Sequence, residues 1–397
     1  MADSGFGRAN LPYGIARHGT RTFAGIRVGE AVADLDALQR DGRLGGLGLP
    51  PGVFATASLN GLMALGPEVW SALRFALQEL DLERALLPLD EVVMQLPFEV
   101  ADYADFYSSE HHARNLGSIL RPGAEPLLPN WKRLPVGYQG RAGTVVVSGT
   151  PIVRPRGLVA VGGNGDSEPQ WQPSGLLDFE LEVGTVIGSG SRLGSRIRAD
   201  EADLHVFGFV LLNDWSARDI QAYEYQPLGP FLAKGFATTI SPWVVTLDAL
   251  RPFLLAGPPQ EPPPAPYLAA HHPWHIDLGL EVGLNGVTVT ATNFQNMYWS
   301  FAQQLAHVTG NGAATRTGDL LGSGTVSGPD PGTYGSLIEI TWRGRDPITL
   351  PGGASRTFLE DGDTVVLRGA CGGPNDQRGW VGFGECAGHI VAAPHDD

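Results

Sequence analysis

The sequence predicts a mainly β protein of the α+β class. In 397 residues it carries 54 glycines and 31 prolines, which demand many turns between short strands. Apolar runs of strand length recur along most of the chain, and helical periodicity is confined to a few stretches. At 42.2 kDa the chain is long enough for one small and one large domain.

Residues 10 to 36 read as short strands, with a tight turn at Gly29-Glu30 joining Ile26-Val28 to Ala31-Ala33 in a hairpin. Pro67 suits a first helical turn. Val69, Leu73, Leu77 and Leu80 follow at spacings of three and four, so an amphipathic helix is expected over 67 to 84. At Asp102 the texture turns aromatic, acidic and histidine-bearing, which places a domain boundary near 98 to 102. Beyond it, strands are expected at Thr144-Ser148, Leu176-Val186, Val206-Asn213, Trp243-Leu247, Ile276-Val282, Gly286-Thr292, Leu337-Trp342 and Asp363-Leu367. Helices are expected at Trp215 to Tyr225, stopped by Pro227, and over 294 to 308. Gly257 to Pro266 should be an extended Pro-rich loop, and Gly162 to Gly175 an exposed one.

The formal net charge of −15 argues against nucleic acid or an anionic membrane as partner and suits a bound cation. Cys371 and Cys386, the two cysteines, make no disulfide framework and no metal spacing, so two buried thiols in a reducing compartment are expected. With no leader pattern at the N-terminus and no apolar run near the roughly 18 residues of a membrane span, a soluble cytoplasmic protein is expected.

Within LLDFELEV, strand alternation sends Leu177, Phe179, Leu181 and Val183 one way and Asp178, Glu180 and Glu182 the other. At ~3.3 Å per residue the two glutamates stand about 6 to 7 Å apart on one side, within reach of a single ion. An edge strand with a solvated acidic face gives the same pattern. Nearby, ADYADFYSSEHHARN delivers Asp105, Tyr107 and the adjacent His111 and His112. The apolar run Val206 to Leu212 ends at Asp214, which either joins the acidic group or caps the following helix. Arg218, Gln221 and Tyr225 fall at i, i+3 and i+7, a stripe of hydrogen-bond donors suited to a developing oxyanion.

Only Lys132 and Lys234 are lysines among 27 basic residues. Lys234 in an apolar context is read as a buried ammonium balancing the acids, against the plainer reading of a snorkelling surface lysine. All-oxygen ligation favours Mg²⁺ or Ca²⁺. Glu339, between Ile338 and Ile340, is expected in an apolar strand, where it would orient a histidine. Thr325 sits in a glycine-rich turn that is neither a dinucleotide fingerprint nor a nucleophile elbow.

The motifs DYADFYSS, LLPNWKRLPVGYQGRAGTVVVSGTPI, LDFELE, LLNDWSARDIQAYEYQPLGPFLAKGFATTISPWVV, GSGTVSG and VGFGECAG together resemble the fumarylacetoacetase branch of the fumarylacetoacetate hydrolase family. The likeness covers nearly the whole chain, with residues 1 to 95 carried mainly by PYGIARHG and its hairpin. It implies a small SH3-like N-terminal barrel over 1–98 and a larger mixed β-roll catalytic domain over 99–397, working as a homodimer. It also implies hydrolysis of 4-fumarylacetoacetate, a small-molecule dicarbonyl, to fumarate and acetoacetate with Ca²⁺ or Mg²⁺ at the end of tyrosine and phenylalanine breakdown. By the resemblance, Asp105, Glu180, Glu182 and Asp214 match metal ligands, and Lys234 with Thr238 match a second, structural magnesium site. His112 matches the base and Glu339 its orienting partner, while Arg218, Gln221 and Lys234 match the oxyanion donors. Tyr107, Arg121, Tyr138, Tyr225 and Thr325, together with Arg218 and Gln221, match substrate contacts.

Two other classes fit less well. A glycosidase using Glu180 and Glu182 as its acid pair leaves Arg218, Gln221 and Lys234 without a task. A calcium-stabilised β module is the usual property of secreted chains. Within the family, hydrolysis or decarboxylation of another acylpyruvate-like 1,3-dicarbonyl acid stays open, since substrate choice lies in loops.

Overall fold

The computed structural model describes residues 5–160 and 168–394. Tyr13–His18, Arg21–Val28 and Ala31–Asp34 form consecutive hairpins, with Val28 opposite Ala31 across the expected Gly29-Glu30 turn. Gly29 takes φ 59°, a left-handed conformation that glycine adopts without penalty. Leu86–Pro88 and Val93–Gln95 complete a five-stranded antiparallel sheet. The amphipathic helix runs over Pro67–Glu79, with Trp70, Leu73, Arg74 and Leu77 buried. It ends before residue 84 because Leu80 turns extended and the Asp81 carboxylate accepts from Glu83 N at 3.0 Å, a local bond that competes with the helix.

The large sheet holds eight strands. Its path runs Gly137–Gln139, Tyr103–Phe106, Leu320–Gly322, Leu181–Ile187, Val206–Asp214, Thr238–Ile240 and Val145–Val147, with Val245–Thr246 paired off that path. A five-stranded sheet built round Thr364–Gly372 and Trp380–Val391 packs beside it. All nine residues of Val206–Asp214 are buried. Val210 and Leu212 join the core shared with the N-terminal sheet, whereas Phe209 and Leu211 join the core shared with the second sheet, which explains the continuous apolar run. Cys371 and Cys386 are buried free thiols. Among the described residues, no helix is long and apolar enough to cross a membrane.

Several expected elements change. Leu337–Ile340 is a helical turn and not a strand, because Asp178 accepts hydrogen bonds from Leu337 N and Ile338 N and fixes a helix start there. Four apolar-rich residues cannot declare their period. The expected strand 176–186 breaks at Phe179 into Leu177–Asp178 and Leu181–Ile187. Ser216–Ala217 pairs with Leu177–Asp178, which delays the following helix to Arg218–Glu224. Over 294–308, a 3₁₀ turn at Phe294–Asn296 precedes a helix at Phe301–Val308, started by a Ser300/Gln303 capping box. Part of the expected loop 162–175 is the strand Gln170–Pro173, paired with Arg156–Val159, and residues 161–167 lie outside the described ones. The Pro-rich stretch Gly257–Pro266 is irregular up to the 3₁₀ turn at Pro266, as expected.

Candidate active site

The acids come from neighbouring strands of the large sheet. Gly322 pairs with both Gly184 and Asp105, so Leu320–Gly322 lies between the strands carrying Asp105 and Glu182, and Asp214 ends the next strand over. Asp105, Glu182 and Asp214 each offer an oxygen within 4.8 Å of the others, and all three are buried. Gly322 makes room for them: a Cβ there would stand 3.0 Å from Glu182 Oε2 and 3.1 Å from both Asp105 Oδ1 and the Tyr103 hydroxyl.

Glu180 takes another position. Its Oε2 accepts from Lys234 Nζ at 2.6 Å and its Oε1 pairs with Arg218 Nη2 at 2.8 Å. Lys234 Nζ also donates to Asp214 Oδ2 at 2.6 Å, so it is a buried ammonium held by two acids and not a snorkelling one. Such a protonated side chain offers no lone pair to a cation. Thr238 donates to Asp214 Oδ1 at 3.4 Å. Asp214 caps no helix, since Ala217 precedes the helix start.

Arg141, which the sequence reading passed over, reaches Asp105 Oδ2 at 2.8 Å and Asp214 Oδ1 at 3.2 Å. Its guanidinium lies against the Tyr103 and Tyr138 rings at 4.8 and 4.9 Å. Its backbone adopts φ 72°, an uncommon conformation for a residue with a Cβ and one that clusters at functional sites. Its only sequence signal was membership of the quoted string GYQGRAG.

Five buried carboxylates, Asp105, Asp178, Glu180, Glu182 and Asp214, face three cations, Arg141, Lys234 and Arg218. With all five ionised the deficit would be two charges, the charge of one divalent ion. Burial pushes Glu182 well above the usual carboxylate range, with Asp105, Asp214 and Glu180 adding repulsion. Burial likewise pushes Asp214 up to about 7 against the pull of Arg141 and Lys234. Glu180 goes the other way: burial opposes its charge, but Lys234 and Arg218 hold it below its ordinary value. Asp105 Oδ1 and Glu182 Oε1 are buried without a hydrogen-bond donor. Two orphaned acceptors in an all-oxygen group fit a hard cation, so these acids could hold a metal ion.

Beside them, Ser109 caps the helix Glu110–Leu120 and turns His112 inward, 3% exposed, while His111 stays half-buried. His112 Nδ1 lies 2.7 Å from Glu339 Oε2. The remaining capacity of Glu339 is filled by donors from Asn115 at 2.9 Å, Ser327 at 3.0 Å and Ser336 at 2.6 Å. Burial penalises this carboxylate most, yet His112, Ser336 and Asn115 hold it below the ordinary range. Asn115 stands one helical turn beyond His112, a spacing legible in the sequence but not used.

The donor stripe is present in part. Arg218 Nη1 donates to Gln221 Oε1 at 3.0 Å, which leaves the Gln221 amino group as its free end. Tyr225, at the helix end, accepts from Gln226 Nε2 at 3.0 Å. Tyr107 stacks edge-on against His112, with ring centres 5.3 Å apart. Arg121 donates to Pro126 O at 2.7 Å, and its Nε is buried without a partner. The Thr325 hydroxyl is also buried without a partner, an arrangement suited to a ligand oxygen. Tyr138 and Arg141 line a cavity of about 660 Å³ whose rim carries Val153, Trp171, Phe231 and Leu232.

Residues 9–97 match the family model described as Fumarylacetoacetase N-terminal, and residues 102–391 match Fumarylacetoacetate (FAA) hydrolase C-terminal. The chain is 46% identical to the fumarylacetoacetase of Arabidopsis thaliana over 415 residues, 99% of this chain and 97% of that protein. It is 44% identical to that of Homo sapiens over 412 residues, 98% and 97% of the two chains. Among solved structures, the fumarylacetoacetate hydrolase from Exiguobacterium antarcticum superposes with a TM-score of 0.57 at 18% identity, covering 96% of this chain and 99% of that one. A maleylpyruvate hydrolase from Sphingobium sp. SYK-6, in complex with manganese (II) ion and pyruvate, shares the fold with a TM-score of 0.53 at 15% identity, covering 97% of this chain and all of that one.

Proposed function

This chain belongs to the fumarylacetoacetate hydrolase family and hydrolyses a carbon–carbon bond of 4-fumarylacetoacetate, and we propose how its own residues do so. The products are fumarate and acetoacetate, which puts the reaction at the end of tyrosine and phenylalanine breakdown. Asp105, Glu182 and Asp214, with Glu180 behind them, hold Mg²⁺ or Ca²⁺. When bound, that ion would supply Lewis acidity that polarises the substrate's carbonyl chemistry.

His112 is the general base. Because Nδ1 faces Glu339, Nε2 is the nitrogen that accepts the proton of the attacking water, and Glu339 stabilises the imidazolium that forms. Arg218, Gln221 and Lys234 donate to the oxyanion produced by attack on the carbonyl. Arg121 receives the substrate carboxylate, and Tyr107, Tyr138, Tyr225 and Thr325 line the substrate. Thr238 and the main chain of Lys234 serve a second, structural magnesium site. Residues 1–98 form the supporting unit and 99–397 the catalytic one.

The working form is a cytoplasmic homodimer. Val153, Trp171 and Phe231 are 49, 54 and 77% exposed along one concavity, a face that a second copy would cover. Light scattering should return twice the chain mass, and a monomer at working concentration would remove this part of the reading.

The observation that carries the metal assignment is the buried group Asp105, Glu182 and Asp214 with two oxygens left without donors. Loss of fumarylacetoacetate absorbance, followed with and without a chelator, tests it together with the substrate. Turnover that stops on chelation and returns with Mg²⁺ or Ca²⁺ is expected; turnover indifferent to chelation would refute the metal role.

A further inference from the structure

We propose that Asp178 is a positioning residue for this hydrolysis, the carboxylate that fastens the base and the oxyanion donors in one register. It ends the short strand Leu177–Asp178, two residues before Glu180, and lies outside the group of acids that could hold the metal. It is fully buried, and its oxygens serve two arms of the site at once.

On one arm, Oδ1 accepts from Leu337 N at 2.7 Å and Oδ2 from Ile338 N at 3.1 Å. These are orphan donors at the start of the helical turn that carries Glu339. Ser336, in the capping position, makes no side-chain bond to them, and its hydroxyl donates to Glu339 Oε2. On the other arm, Oδ2 accepts from Arg218 Nε at 2.8 Å. That anchor leaves Nη2 for Glu180 Oε1 and Nη1 for Gln221 Oε1, which sets the fork of the guanidinium and the free end of the Gln221 amide. A single carboxylate thus joins segments 40 and 160 residues away. Asparagine has the same shape but only one acceptor oxygen. Its amino group would face a donor, either Arg218 Nε–H or a main-chain N–H.

The role rests on the reading of His112, Glu339 and Arg218 given above, and the test has one arm free of it. For Asp178→Asn, kcat is expected to fall on the order of 10²-fold with KM changed only a few-fold. The calorimetric affinity for Mg²⁺ or Ca²⁺ should fall less than kcat does, because Asp178 offers no oxygen to the group of acids that could hold the ion. In a cycle with Glu339→Gln, the double variant should lose less than the product of the single losses, because both act on the same base. Independently of any substrate, the downfield proton resonance of the His112–Glu339 hydrogen bond should shift or vanish in Asp178→Asn. Should that variant not fold, Asp178→Ser, a smaller side chain that keeps one acceptor, takes the same measurements. Multiplicative losses, an unmoved resonance, or wild-type kcat in a folded variant would each overturn the proposal. If wild-type protein leaves fumarylacetoacetate intact, the substrate assignment fails, while the resonance still decides for or against Asp178.

Discussion

His112 Nδ1 stands 2.7 Å from Glu339 Oε2, across 227 residues of chain. Three further donors hold that carboxylate, so the imidazole meets an anion that cannot turn away. The tautomer follows: Nδ1 carries the proton and Nε2 is left basic.

For His112→Ala we expect kcat to fall by ~10² to 10⁴-fold, the usual worth of a general base, with divalent-ion affinity unchanged by calorimetry. Loss of the ion in step with activity would make His112 a ligand and not a base.

Glu182→Gln should weaken binding of Mg²⁺ or Ca²⁺ by more than the ~10 to 100-fold that loss of an outer partner costs. Glu180→Gln should weaken it too, because it releases the Lys234 ammonium and Arg218 toward the remaining acids. Titration calorimetry on the two variants ranks them, and unchanged affinity in either would take that residue out of the site.

Gly322→Ala tests the space between the acids. The added methyl would press on Glu182, Asp105 and Tyr103 at 3.0 to 3.1 Å, so metal affinity should fall at least ~10-fold in a folded protein. A variant that binds the ion as wild type does would show that the acids stand elsewhere when loaded.

Away from the site, His275 is buried with Nε2 3.0 Å from Met297 O. Burial depresses it to about 4, and the Met297 carbonyl only partly offsets this. The folded state therefore stays neutral where the unfolded chain is protonated, so stability present above pH 6.5 is lost as pH falls toward 4. Between pH 7.5 and 5 this contributes about 2 kcal/mol, which His275→Gln should remove from the slope in denaturant titrations at the two pH values. An unchanged slope would clear His275.

Much of the site was legible in sequence. Strand alternation singled out Asp178, Glu180 and Glu182, all three of which are buried and hydrogen-bonded or ion-paired within the site although the strand itself breaks at Phe179, and helical spacing put Arg218 beside Gln221. The expected Leu337-Trp342 strand failed because its apolar residues suit either period, and the deciding contact comes from Asp178, 159 residues earlier. Arg141 escaped notice for a related reason. Nothing in its neighbours announces that a guanidinium will meet Asp105 and Asp214.

By itself the sequence determined the mainly β architecture, the grouping of the acids in LLDFELEV and the family likeness, since alternation of side chains follows from the extended conformation that its apolar pattern favours. Tertiary structure alone decided that Glu180 answers to Lys234 and Arg218 while Glu182 keeps an oxygen without a donor. Two glutamates one residue apart are locally equivalent. What separates them is which charges the rest of the fold brings within 3 Å, and Coulombic pairing in a buried site depends on that distance and not on sequence spacing.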